Sequence, residues 1–115
     1  MEARYEVKAG VVVVELKGRL DFETTAPFRR TCLERLLGEK VVFDLKHLNF
    51  VGSLGLKDFV DTLDHMRRQS QPGVKFCGVS SEFRRLFEAS GMVPLEIFEN
   101  KEKAVQSFSP QPSAG

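Results

Sequence analysis

The chain has 115 residues, 42% hydrophobic and 29% charged, with 17 basic against 16 acidic side chains and a net charge of +1. That length suits one domain, able to bury a core without metal or disulfide staples. The balanced charge argues against steering toward nucleic acid or an anionic membrane. The longest purely aliphatic run, Val11 to Val14, is too short to span a bilayer.

The opening residues, MEARYEVKAG, lack the basic start and apolar stretch of a secretory signal. Cys32 and Cys77 form no C-x-x-C pair and have no nearby histidine pair, so neither a redox motif nor a zinc site is indicated. Two thiols without an export signal suit a reducing, cytoplasmic location.

Tyr5 to Lys8 and Val11 to Leu16 read as strands joined by a tight turn at Ala9-Gly10, with Gly18 breaking the pattern. Thr24 or Thr25 is a natural N-cap for a helix whose stripe is Phe28, Cys32, Leu33, Leu36 and Leu37, ending at Gly38. Val41 to Leu45 is a short β-branched run with little alternation, as expected of a central strand covered on both faces. Leu56, Phe59, Val60, Leu63 and Met66 then mark the clearest helix, which should stop before Pro72-Gly73. Val74 to Val79 is a further strand, followed by a helix capped by Ser80 or Ser81 with Phe83, Leu86 and Phe87 on its apolar face. Gly91 stands where a left-handed C-cap belongs, and Met92 can fold back onto that face. Leu95 to Phe98 and about Asn100 to Phe108 form a last strand and helix; residues 109–115 read as a loose tail. The order β-β-α-β-α-β-α-β-α predicts an α/β domain over residues 1–108 with a mostly parallel sheet and right-handed crossovers. Helices packed on that sheet should bury most of the ten phenylalanines.

Chemistry concentrates in LNFVGSLGLKDFV, Leu48 to Val60, where Gly52-Ser53-Leu54-Gly55 joins a strand to a helix. A nucleophile elbow needs glycines two places either side of the serine; Gly55 fits, but Val51 occupies the other place. His47 and His65, the only histidines, read as solvated surface, which makes an enzyme a poor expectation. The spacing of Gly52, Gly55 and Lys57 matches neither a P-loop nor a dinucleotide fingerprint. A helix cap is the simplest role for Ser53. It is compatible with a second one: a phosphate there would lie near the positive end of the helix dipole, with Lys57 one turn on. Asp44 reads as a hydrogen-bonding acid at a strand end, and the pairs Arg29-Arg30, Arg67-Arg68 and Arg84-Arg85 read as solvated charge.

Four segments together resemble the STAS domain of bacterial anti-sigma factor antagonists, from about Tyr5 to Phe108. ELKGRLDFETTAPFRRTCLERLL is similar to the second strand, the G-x-L-D turn (Gly18, Leu20, Asp21) and the first helix. KVVFDLKHLNFVGSLGL is similar to the central strand and the switch segment, which usually reads D-S-S-G-L. GVKFCGVSSEFRRLFEASGM and LEIFENKEKAVQSF are similar to the closing units. The resemblance implies a STAS-like α/β fold and a switch protein that is not an enzyme and uses no cofactor. Its implied partners are an anti-sigma factor with serine kinase activity and a serine phosphatase, with no direct nucleic acid and no membrane insertion. Ser53 matches the phosphorylated serine, while Asp21, Gly52, Ser53, Leu54, Gly55 and Lys57 match the partner surface. Gly52 stands where the family usually has Asp, and Leu54 where it has a second Ser or Thr. A domain that binds constitutively, a soluble accessory subunit of a membrane transport ATPase, and a small hydrolase remain as alternatives.

Overall fold

The computed structural model describes residues 1–70, 73–92 and 95–108, so the expected tail at 109–115 lies outside the described residues. Five strands, β1 (Glu2–Lys8), β2 (Val11–Arg19), β3 (Lys40–Asn49), β4 (Val74–Cys77) and β5 (Ile97–Phe98), form one sheet in the order of the chain. Only β1 and β2 are antiparallel; β2–β3, β3–β4 and β4–β5 are parallel. Ala9 and Gly10 carry positive φ values of 52° and 78°, the conformation a two-residue hairpin turn requires.

The helices are α1 (Phe22–Thr31), continued by a π-helical turn over Cys32–Leu36, then α2 (Leu56–Gln69), α3 (Ser81–Ala89) and α4 (Lys101–Gln106). Three successive crossovers move the same way across the sheet, and crossovers of one hand then place their helices on one face. Accordingly Phe28 and Cys32, Phe59, Leu63 and Met66, and Phe83 and Phe87 share one core with Val14, Phe43 and Phe76. On the other face, α4 lays Ala104 and Val105 over Val11, Val13, Val42 and Cys77. The central β3 is therefore covered on both sides, which explains its unbroken apolar run. Six of the ten phenylalanines are buried (28, 43, 59, 76, 83 and 87); Phe22 is exposed.

Several expected boundaries shift. Gly18, at φ 90°, does not end β2, because Gly18 and Arg19 still pair with Leu48 and Asn49 of β3. The cap of α1 is Asp21 rather than Thr24 or Thr25: its carboxylate accepts from the Thr24 N–H at 2.7 Å. Ser80 caps α3 as expected, accepting from Phe83 N–H. Gly91 closes that helix at φ 81°, and Met92 N–H donates to Phe87 O at 2.9 Å as its side chain folds into the core. Arg30, Arg68, Arg84 and Arg85 are exposed as expected, whereas Arg29 and Arg67 are only partly so. Arg29 donates to Thr62 Oγ1 at 3.2 Å, and Arg67 and Arg68 both meet Asp64.

Candidate functional site

The candidate site begins where β3 leaves the sheet. Phe50 anchors the departing chain with its ring 5.0 Å from that of Phe83, and Val51 to Leu54 then project into solvent. Gly52 and Gly55 both have positive φ, 61° and 69°, but for different reasons. Around Gly52 the space is open. A Cβ on Gly55 would lie 2.8 Å from the Asp21 carbonyl oxygen and 3.0 Å from Thr25 Oγ1. The close approach of the α1 and α2 N-termini therefore requires glycine at 55.

This contact corrects the expected role of Ser53. The cap of α2 is Gly55, in the left-handed conformation, and the helix has no side-chain cap. Ser53 sits two residues earlier, where its backbone carbonyl accepts from Leu56 N–H at 3.2 Å. Its exposed hydroxyl is left free of the capping task.

Asp21 is brought beside this loop by the same contact, but its carboxylate is already engaged. It accepts from Thr24 N–H and Thr24 Oγ1, each at 2.7 Å, and from the Met1 ammonium at 2.8 Å. The ammonium first, and the Thr24 donors next, hold its carboxyl well below the usual carboxylate range. Behind it, Thr25 is buried and donates to the Asp21 carbonyl. Asp21 thus positions the loop through its backbone as much as it presents a charge.

On the other side of Ser53 lies a shallow groove of about 260 Å³ between α2 and α3. Leu56, Val60 and Leu86 supply its apolar wall, with Lys57, Asp61 and Ser90 at its margin. Lys57 is almost fully exposed and bonds Asp61 at 3.1 Å, one turn along α2. Leu54 and Val51 are more than half exposed, as is Phe22 at the start of α1. Three of the six exposed large hydrophobic residues among those described therefore cluster in sequence around the two contacting helix starts. Phe22 and Leu86 were missed as site residues: Phe22 precedes the helix start expected at Thr24 or Thr25, and Leu86, on the apolar face of α3, reads as core, against which it also packs. The signal available for Phe22 was its place immediately after the capping Asp21.

The histidines do not converge on Ser53. His47 lines a separate polar recess with Glu15, Asp44, Lys46 and Lys101. His65 lies nine residues beyond Leu56 on α2, about 13 Å along the axis. Asp44 behaves as the expected hydrogen-bonding acid, accepting from Lys46 N–H at 3.0 Å. Among the described residues no group of three or more His, Cys, Asp or Glu is placed to hold a metal, and no helix is long and apolar enough to cross a membrane.

An exposed serine on a glycine-flanked loop, beside an apolar groove, is thus the candidate site of an α/β domain. The STAS domain family matches residues 2–104, and the chain belongs to that family. Its structure is similar to that of the Bacillus cell fate determinant SpoIIAA in the phosphorylated form, at TM-score 0.67 and 21% identity over 94% of this chain and 100% of that one. An anti-sigma factor antagonist from Mycobacterium paratuberculosis aligns at TM-score 0.68 and 21% identity, covering 92% of each chain. The fold also recurs within the murine anion transporter Slc26a9, at TM-score 0.64 and 16% identity over 89% of this chain but 18% of that one.

Proposed function

We propose that this chain is an anti-sigma factor antagonist, a binding module without catalysis of its own, switched off by phosphorylation of Ser53. The observation that carries this reading is the exposed Ser53 hydroxyl, uncommitted to capping, at the rim of the α2–α3 groove. In this reading an anti-sigma factor with serine kinase activity docks on Asp21, Gly52, Ser53, Leu54, Gly55 and Lys57, with Phe22, Val51 and Leu86 adding apolar area. A phosphoserine brings nearly two negative charges to that rim. Burying them against an apolar partner carries a desolvation cost without return, so the complex dissociates. The fold itself tolerates the phosphate, because the nearby N-terminus of α2 favours negative charge. A serine phosphatase restores binding. The likeness to antagonist structures, one of them phosphorylated, supports the assignment. The binding domain is taken as residues 1–108, acting in the cytoplasm on protein rather than on nucleic acid or membrane.

The test is incubation with a kinase-type anti-sigma factor and ATP, phosphate mapping by mass spectrometry, and titration of Ser53 variants. Phosphate is expected on Ser53 alone. Ser53→Asp should weaken the complex at least about tenfold, equivalent to about 1.4 kcal/mol, while Ser53→Ala should bind but resist release by ATP. No phosphate on Ser53 with unchanged binding of Ser53→Asp would instead establish constitutive binding, consistent with Gly52 in place of an acid. Co-purification with a transport ATPase would replace the reading by that of an accessory subunit.

A further inference from the structure

Strand β1 is the outer strand of the sheet: it pairs with β2, and among the described residues no strand lies on its far side. Its free N–H and C=O groups form an edge to which another strand can add. Along its seven residues Glu2, Arg4, Glu6 and Lys8 point to one face, and Ala3, Tyr5 and Val7 to the other. Val7 is 70% exposed and Tyr5 42%, an unusual amount of apolar surface for an uncovered edge.

The charges run minus, plus, minus, plus, so reversing the strand about Tyr5 converts the pattern into its own complement. Two copies related by a two-fold axis through Tyr5 set Glu2 opposite Lys8 and Arg4 opposite Glu6. On the other face Ala3 meets Val7 and Tyr5 meets Tyr5. Directly opposed residues of an antiparallel pair share a face, so symmetric registers change in steps that preserve this parity. One step sets Glu2 against Glu6 and Arg4 against Arg4; the other sets Arg4 against Lys8 and Glu6 against Glu6. Of these three registers only the one centred on Tyr5 is complementary. An edge charged to repel other strands would carry like charges opposite one another in every register; this one does not.

We propose that β1 is a self-association edge, to which a second copy of this chain adds its own β1 antiparallel in the register centred on Tyr5. The contact is isologous and joins two five-stranded sheets into one. The ion pairs Glu2–Lys17 at 3.5 Å and Glu6–Lys8 at 3.6 Å are exposed and weak, leaving these charges free to re-partner. The groove beside Ser53 is built from the loop, α2 and α3, so edge pairing leaves it open.

So short an edge buries less than a standard interface, and the expected dimer constant is on the order of 10 µM. Sedimentation between about 1 and 500 µM should show the monomer giving way to a dimer. Arg4→Glu and Glu6→Arg each turn two attractive contacts into repulsive ones and should weaken the dimer about tenfold or more. Combining them restores opposite charges and the original affinity, a rescue that damage to the fold would not produce. Tyr5→Cys lies on the axis and should form a disulfide-linked dimer in air. Ala3→Cys should not link to itself but should link to Val7→Cys in a mixture. The native Cys32 and Cys77 do not compete, being buried with thiols pushed up to about 12. A monomer throughout the range, a dimer indifferent to charge reversal, or self-linking of Ala3→Cys would each overturn the proposal.

Discussion

Gly55 and Gly52 share a backbone conformation and differ in what surrounds them. Gly55→Ala meets both a positive φ and the Asp21 carbonyl at 2.8 Å, which is backbone and cannot swing aside. The expected loss is about 2–4 kcal/mol in urea unfolding, combining left-handed strain with overpacking. Gly52→Ala, with open space around it, should lose only about 1–2 kcal/mol. Equal losses would show that the contact between α1 and α2 does not hold the loop. Asp21 offers a second test at this scale. Its folded-state carboxyl titrates below its unfolded value, so its stabilisation is complete above the unfolded pKa of about 4 and fades as pH falls further. Asp21→Asn should therefore be less stable than the parent by a constant margin above about pH 5, and the margin should close in more acid solution. Thermal melts across pH 2–7 would measure it. A margin independent of pH would assign the effect to capping geometry alone.

Caps decide where the elements begin, and here two serines at similar strand-to-helix corners behave differently. Ser80 accepts from Phe83 N–H and has extended backbone, the geometry of an N-cap. Ser80→Ala should cost about 1 kcal/mol. Ser53 caps nothing, so Ser53→Ala should stay within about 0.5 kcal/mol of the parent. Side-by-side denaturation of the two variants checks the contrast, and it matters for function: a serine that stabilises no helix can be modified without unfolding one. From sequence both read as caps, since each precedes an apolar periodic run. The difference lies in Gly55, whose left-handed turn starts α2 two residues later than the serine allows. The same kind of reassignment moved the α1 cap from the threonines to Asp21, where the carboxylate outcompetes a hydroxyl for the orphan N–H groups.

At the scale of the whole molecule the sheet carries unequal loads. The face under α1, α2 and α3 holds a chain of aromatic contacts: Phe28 to Phe43, Phe43 to Phe76, and Phe76 to Phe87, all with ring centroids 5.9–6.0 Å apart. Phe76 is fully buried at the middle of it, so Phe76→Ala should cost about 3–5 kcal/mol. The face under α4 rests on small aliphatic residues and Ala104, and Val105→Ala there should cost about half as much, roughly 1–2.5 kcal/mol. Calorimetric melting of both variants would expose the asymmetry; similar losses would mean that α4 bears more of the fold than its six residues suggest.

The order of elements, the parallel sheet, the buried central strand and the Gly91 cap were all legible in sequence, because periodicity, β-branched runs and turn residues are local signals. The importance of Gly52-Ser53-Leu54-Gly55 was legible too, since two glycines flanking a serine at a strand-to-helix corner are conspicuous in one dimension. What only the tertiary structure decided was which residue does what there. Gly55 is glycine because Asp21, 34 positions earlier in sequence, passes within 2.8 Å of where its Cβ would be. Ser53 is free because that contact places the helix start after it. Leu86 packs against the core and also lines the groove between α2 and α3. Each is a contact between segments remote in the chain, and no local pattern records the distance between them.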